Sequence, residues 1–174
     1  MIKEVLSNLF RKKPALGLDE MPAIPKEAAD VAEEAGRLSA IFKRSIRIRQ
    51  VDAGSCNACE WECTALSNPV YDVQRFGIDF VASPRHADVL LVTGPVSLPM
   101  AEALKKTYMA TPEPKIVIAC GDCAKNGGVY KGAYGVLEGA GNVVPVDGHI
   151  PGCPPSPSAI IKGILDVLES AVKT

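Results

Sequence analysis

Aromatic residues are scarce in this 174-residue chain, at 5% with a single tryptophan, and there are only two histidines. With so few histidines and no nucleophile elbow, hydrolytic chemistry has no candidate residues. Neither sign of charge is in excess. Nineteen Lys and Arg stand against 20 Asp and Glu, for a net charge of −1, which argues against a general nucleic-acid binder. Long apolar runs are also missing. The longest, Val89–Val92 and Ile116–Ala119, are strand-length, far short of the roughly 18 residues a membrane span needs. The opening MIKEVLSNLFRKK lacks a continuous apolar h-region and a small-residue cleavage site, so no secretory signal is expected. Gly132, Gly135, Gly139 and Gly141 form no phosphate loop: there is no G-K-[ST], and no G-x-G-x-x-G opens a helix. The chain is nevertheless 47% apolar, which excludes disorder and suits one domain with a real core.

The sequence does have six cysteines. Without an export signal they do not read as a disulfide framework, so metal or redox chemistry is the starting expectation. Residues 1–44 read as an arm. An amphipathic helix is expected over 2–13, then a linker from Pro14 to Pro25 with three prolines, then a second helix from Lys26 to Phe42. Residues 45–174 read as one domain in which strands and helices alternate. Strands are expected at Ser45–Val51, Ile78–Ala82, Asp88–Thr93, Lys115–Ala119 and Asn142–Val146, and helices at Ala58–Ser67, Leu98–Tyr108 and Ala159–Val172. Ser156 can cap the last helix and Pro157 suits its first position. Buried strands alternating with helices imply an α/β fold: a flavodoxin-like, doubly wound, mostly parallel sheet behind an N-terminal helical arm.

On that reading Cys56 and Cys59 follow the first strand, Cys120 and Cys123 the fourth, and Cys153 the fifth. An open parallel sheet brings all its strands to one carboxyl edge, where ligands bind. Residues nearly a hundred positions apart therefore converge through topology alone. Three chemistries stay open. An iron–sulfur cluster needs four thiolates and backbone N–H groups near the sulfurs, and Gly54, Gly121, Gly127, Gly128 and Gly152 let the backbone approach closely. A four-thiolate zinc site usually staples a core-poor unit with tighter spacing. A thioredoxin-like dithiol at Cys56-Asn-Ala-Cys59 leaves Cys123 and Cys153 unexplained.

Four segments, GSCNACEWE (54–62), SPRHADVLLVTGPV (83–96), GDCAKNGG (121–128) and PGCPPSP (151–157), resemble the small subunit of membrane-linked nickel–iron hydrogenases. Similar motifs mark the cluster-bearing small subunit of respiratory complex I. The resemblance spans residues 45–172. It implies a flavodoxin-like domain holding one 4Fe–4S cluster through Cys56, Cys59, Cys123 and Cys153, with no catalytic residue in this chain. The complex I subunit carries adjacent cysteines in the first motif, so the spaced Cys56 and Cys59 favour the hydrogenase branch. Four ligands leave only two cysteines, too few for the further clusters of the soluble enzymes, which favours the energy-converting or formate-hydrogenlyase type. The implied role is an oxidoreductase subunit that relays electrons between a nickel–iron large subunit and a ferredoxin-like iron–sulfur subunit. The implied location is cytoplasmic, peripheral on the cell membrane through other subunits. The alternatives are a quinone-reducing, complex-I-like small subunit and, from another class, a structural zinc-binding module.

The remaining residues have plainer readings. Cys63, four positions after Cys59, and Cys120, ending a strand, read as small core residues. Glu62 reads equally as a helix N-terminal carboxylate and as a group near the cluster. Arg85 is a candidate for holding loops or facing a partner, and His86 a surface residue. His149 is a minor candidate donor to a cluster sulfur, and Trp61 is expected to be a packing anchor.

Overall fold

The chain's aliphatic runs pair into a single sheet. In the computed structural model, which describes residues 45–172, β1 (Ile46–Asp52), β2 (Ile78–Phe80), β3 (Val89–Thr93), β4 (Ile116–Cys120) and β5 (Gly148–Ile150) are ordered β2-β1-β3-β4-β5, all parallel. This is the doubly wound order expected of a flavodoxin-like domain. The arm expected over residues 1–44 lies outside the described residues.

Pleating sorts the strand residues between two cores. Ile46, Ile48, Val89, Leu91, Ile118, Cys120 and Ile150 face one side, where helices α1 (Ala58–Ala65) and α4 (Pro157–Val172) bring Cys63, Leu66, Ile160, Ile161, Ile164, Leu165 and Leu168. Val51, Leu90, Val92 and Val117 face the other, where helix α2 (Leu98–Ala110) brings Leu104. Covered on both sides, β3 is buried along its whole length. Helix α4 begins as expected. Pro157 is its first residue, and the Ala159 N–H donates to Ser156 Oγ at 3.3 Å.

One strand lies elsewhere than expected. Asn142–Val146 is not the fifth strand: Ala140–Asn142 forms a 3-10 turn, and Val143, Val144 and Val146 pack into the α2-side core. Pro145 has no N–H to give a ladder, and pairing with β4 starts only where the Asp147 N–H donates to the Val117 carbonyl at 2.8 Å. A five-residue helix, α3 (Asp122–Asn126), was also not expected; it follows β4 directly. Neither difference moves the cysteines from the carboxyl edge, because β5 still ends just before Cys153.

Candidate metal centre

Three loops leave the carboxyl edge with cysteines, and each is fixed by hydrogen bonds of its own. In the β1–α1 loop, Asp52 Oδ1 accepts from the Gly54 N–H at 2.9 Å and the Ser55 N–H at 2.8 Å. Ser55 Oγ accepts from the Asn57 N–H at 3.0 Å and donates to Glu60 Oε2 at 2.6 Å. The fully buried Thr93 hydroxyl, at the end of β3, hydrogen-bonds the other oxygen of Glu60. Glu60 thus ties the start of α1 to β3, and in this loop Cys56 is exposed and Cys59 buried. Removing it in Glu60→Ala takes the charged acceptor from both hydroxyls, a loss of about 1.5–3 kcal/mol per bond at most. The anaerobically purified protein is expected to melt at a lower temperature, and an unchanged midpoint would deny the tie.

The β4 and β5 loops are bonded to each other. The Gly121 N–H donates to the Ile150 carbonyl at 2.8 Å and the Asp122 N–H to the Gly152 carbonyl at 2.9 Å. The Gly152 N–H in turn donates to Asp122 Oδ1 at 3.1 Å. Cys123, the second residue of α3, is buried, and Cys153 is exposed one residue beyond Gly152. A Cβ on Gly128 would lie 2.9 Å from the Cys123 sulfur, and a Cβ on Gly121 would lie 2.9 Å from the sulfur of Cys59. Only glycine lets the chain close around these two thiols.

The thiols act on one another. Burial pushes the Cys123 thiol above its ordinary range, and so do the neighbouring sulfurs of Cys153, Cys56 and Cys59, against the Val129 N–H. Cys59 is held below its ordinary value by a hydrogen bond from Cys120, against burial and the charges of Glu60, Asp122 and Glu62. Cys120, bonded to both Cys59 and Cys63 and fully buried, is held far above the thiol range. The structure therefore gathers Cys56, Cys59, Cys123 and Cys153 at one edge, with Cys63 and Cys120 in the core beneath. Among the described residues no group of three or more His, Cys, Asp or Glu side chains could hold a metal ion as they stand.

Residues 56–167, a stretch containing all six cysteines, match the protein family described as the 20 kDa subunit of NADH ubiquinone oxidoreductase. The chain belongs to that family. It is 42% identical to a probable membrane-bound hydrogenase subunit of Pyrococcus furiosus, over 88% of either chain. It is 40% identical to formate hydrogenlyase subunit 7 of Escherichia coli, over 96% of this chain and 66% of that subunit. Among solved structures, a chain of the membrane-bound sulfane sulfur reductase, an archaeal respiratory membrane complex, superposes with a TM-score of 0.64 at 35% identity, covering 77% of this chain and 76% of the other.

In this 20 kDa-type subunit the other singled-out residues fall as follows. Cys63 and Cys120 are core residues, as expected. Trp61 is no packing anchor: it is 66% exposed, because α1 turns the buried Cys59 and Cys63 inward and leaves Trp61 on its outer side. Arg85 and His86 are exposed on the 3-10 turn Pro84–His86. The His149 Nε2 lies 4.0 Å from Asp122 Oδ1 without a hydrogen bond. Burial and Lys125 hold its imidazole below the usual value, against Gly121 and Asp122. It therefore backs the Asp122 loop. Sequence reasoning missed Glu60, Thr93 and Asp122. Asp122 alone carried a local signal, as a carboxylate flanked by Gly121 and Cys123.

Proposed function

We propose that this chain is the electron-transfer small subunit of a multisubunit, membrane-linked hydrogenase-type complex and carries one 4Fe–4S cluster on Cys56, Cys59, Cys123 and Cys153. The observation that carries this is the convergence of four thiols from three loops at one edge of a parallel sheet. The chemistry of the donor set supports this reading, although the four thiols would have to draw together to bind the group. Four soft thiolates suit iron and sulfide, and two glycines keep room beside the sulfurs. When bound, the cluster would supply one-electron uptake and release. The chain's own residues do the rest: the Glu60 tie and the Asp122–Gly152 pair hold the ligand loops, and the two cores keep water from the inner side.

In this reading electrons pass between the metal centre of a nickel–iron large subunit and a ferredoxin-like subunit. Trp61, two residues after Cys59, and Val129, on the turn that packs against the Cys123 helix, are exposed, and apolar exposure beside the cysteine loops suits a partner surface. The expected interface is apolar and obligate, above about 2,000 Å² in total. Among the described residues no helix is long and apolar enough to cross a membrane; in this reading the chain is held on the cytoplasmic side through its partner subunits. A second reading has support in the sulfane sulfur reductase likeness: the same relay could serve a large subunit that reduces something other than protons.

The test is anaerobic affinity purification of the complex from its host. Expected are a brown preparation with iron and acid-labile sulfide, co-purified large and ferredoxin-like subunits, and nickel. Absence of nickel with iron retained would favour the reductase reading. A colourless chain holding zinc would overturn both.

A further inference from the structure

We propose that a cavity at the amino edge of the sheet is the seat of the Phe42 ring, so that the N-terminal arm docks on this domain at the edge opposite the cysteines.

The cavity, of about 190 Å³, has walls of Ile46, Val89, Pro114, Ile116 and Leu168. Ile46, Val89 and Ile116 are the first residues of β1, β3 and β4. Since the strands are all parallel, the cavity lies at the end of the sheet away from the cysteine loops. Leu168 comes from the far half of α4, which runs back from the carboxyl edge. The cavity is therefore the open end of the core that the sheet shares with α1 and α4. Its walls are mostly aliphatic, and an aliphatic cavity of about 150 Å³ is large enough to take up benzene. The space suits one aromatic ring.

Chain continuity names the occupant. Ser45, the residue before β1, itself lines the cavity, so the arm joins the domain at that spot. Three residues extend over at most about 11 Å, which keeps Phe42 within reach whatever path the arm takes. In the sequence Val31, Ala35, Leu38 and Phe42 recur at the spacing of one helix face, and Phe42 is the aromatic residue among them. The charges agree as well. Lys43 and Arg44 follow Phe42 directly, and Asp88 lines the same cavity. Its Oδ2 accepts from the Arg47 N–H at 3.1 Å, and a carboxylate can accept from several donors at once. The ring thus leaves water for an apolar seat while the two cations stay beside a carboxylate. Docked in this way, the arm leaves the cysteine edge clear for a partner.

The test is hydrogen exchange read by mass spectrometry on the assembled complex, with the chain at full length. Phe42→Ala is expected to speed exchange in peptides carrying Ile46–Ile48, Ile116–Ile118 and Leu165–Leu168. Benzene, as the probe, is expected to slow it again in that variant and to leave the parent unchanged. Phe10→Ala, in the first expected helix, is the control and is expected to exchange like the parent at all three stretches. Unchanged exchange in Phe42→Ala would overturn the proposal, whether a partner subunit or a second copy fills the space instead. Equal protection of the parent by benzene would also overturn it, because the cavity would then stand open with Phe42 in place. If Phe42→Ala does not assemble, Phe42→Leu, which keeps an apolar side chain without the ring, decides. Faster exchange at the same stretches supports the seat, and parent-like exchange overturns it.

Discussion

Serine in place of Cys56, Cys59, Cys123 or Cys153 is expected to remove the cluster, read as loss of its iron, its sulfide and its paramagnetic signal from the assembled complex. Serine is nearly the same size, but it offers a harder, less acidic oxygen in place of the thiolate that soft iron–sulfur chemistry needs. Cys63→Ser is the control. It buries a hydroxyl in the core beside Leu66 and Ile161, a cost of about 1–3 kcal/mol, yet leaves the ligand set whole. The variant is expected to be less stable but fully clustered. Iron retained in Cys123→Ser and lost in Cys63→Ser would show that the loops are assigned wrongly.

A single methyl group is expected to do nearly as much damage at Gly121. That residue has φ +85° and ψ 162°, a region open essentially to glycine alone, and forcing another residue there costs about 1–3 kcal/mol. The added Cβ would also stand 2.9 Å from Cys59 Sγ and 3.3 Å from the Gly152 carbonyl oxygen. It would press on two ligand loops at once. Gly121→Ala is expected to assemble poorly and to carry little iron. Gly132→Ala separates strain from contact, because Gly132 has φ +79° but a Cβ added there would meet no atom within 4 Å. Its variant is expected to lose some stability and keep its iron. Equal iron in the two variants would mean that the close approach at Cys59 does not matter.

The parts of the fold that were legible in the sequence are those whose burial repeats. β3 and β4 announce themselves by runs of Ile, Leu and Val, β1 by its alternation of Ile with Arg, and α4 by Ser156, Pro157 and an apolar face. β5 is different. Gly148-His149-Ile150 is too short and too polar to stand out, and Gly148 is there because Val167 of α4 leaves no room for a Cβ. The neighbouring valines, at 143, 144 and 146, look more like a strand but are recruited by the opposite core. That Cys56, Cys59, Cys123 and Cys153 reach one edge was legible because strand order alone carries their loops there. The Glu60 tie was not, since Ser55, Glu60 and Thr93 meet only after β1 and β3 have paired. The exposure of Trp61 escaped for a similar reason: helix phase decides it, and the two cysteines, not the indole, take the inward positions.

The reciprocal bonds between Asp122 and Gly152 also bear on the order of biogenesis. They join a loop that is synthesised late to one synthesised 30 residues earlier, so they cannot form before the later loop exists. Until β5 has docked on β4, a nascent chain displays Cys56 and Cys59 without the second half of their cage. In the proposed reading the cysteine edge is complete only with the last strand. A cluster bound there would then be loaded only once the domain is complete, and a truncated or stalled chain would offer it no cage.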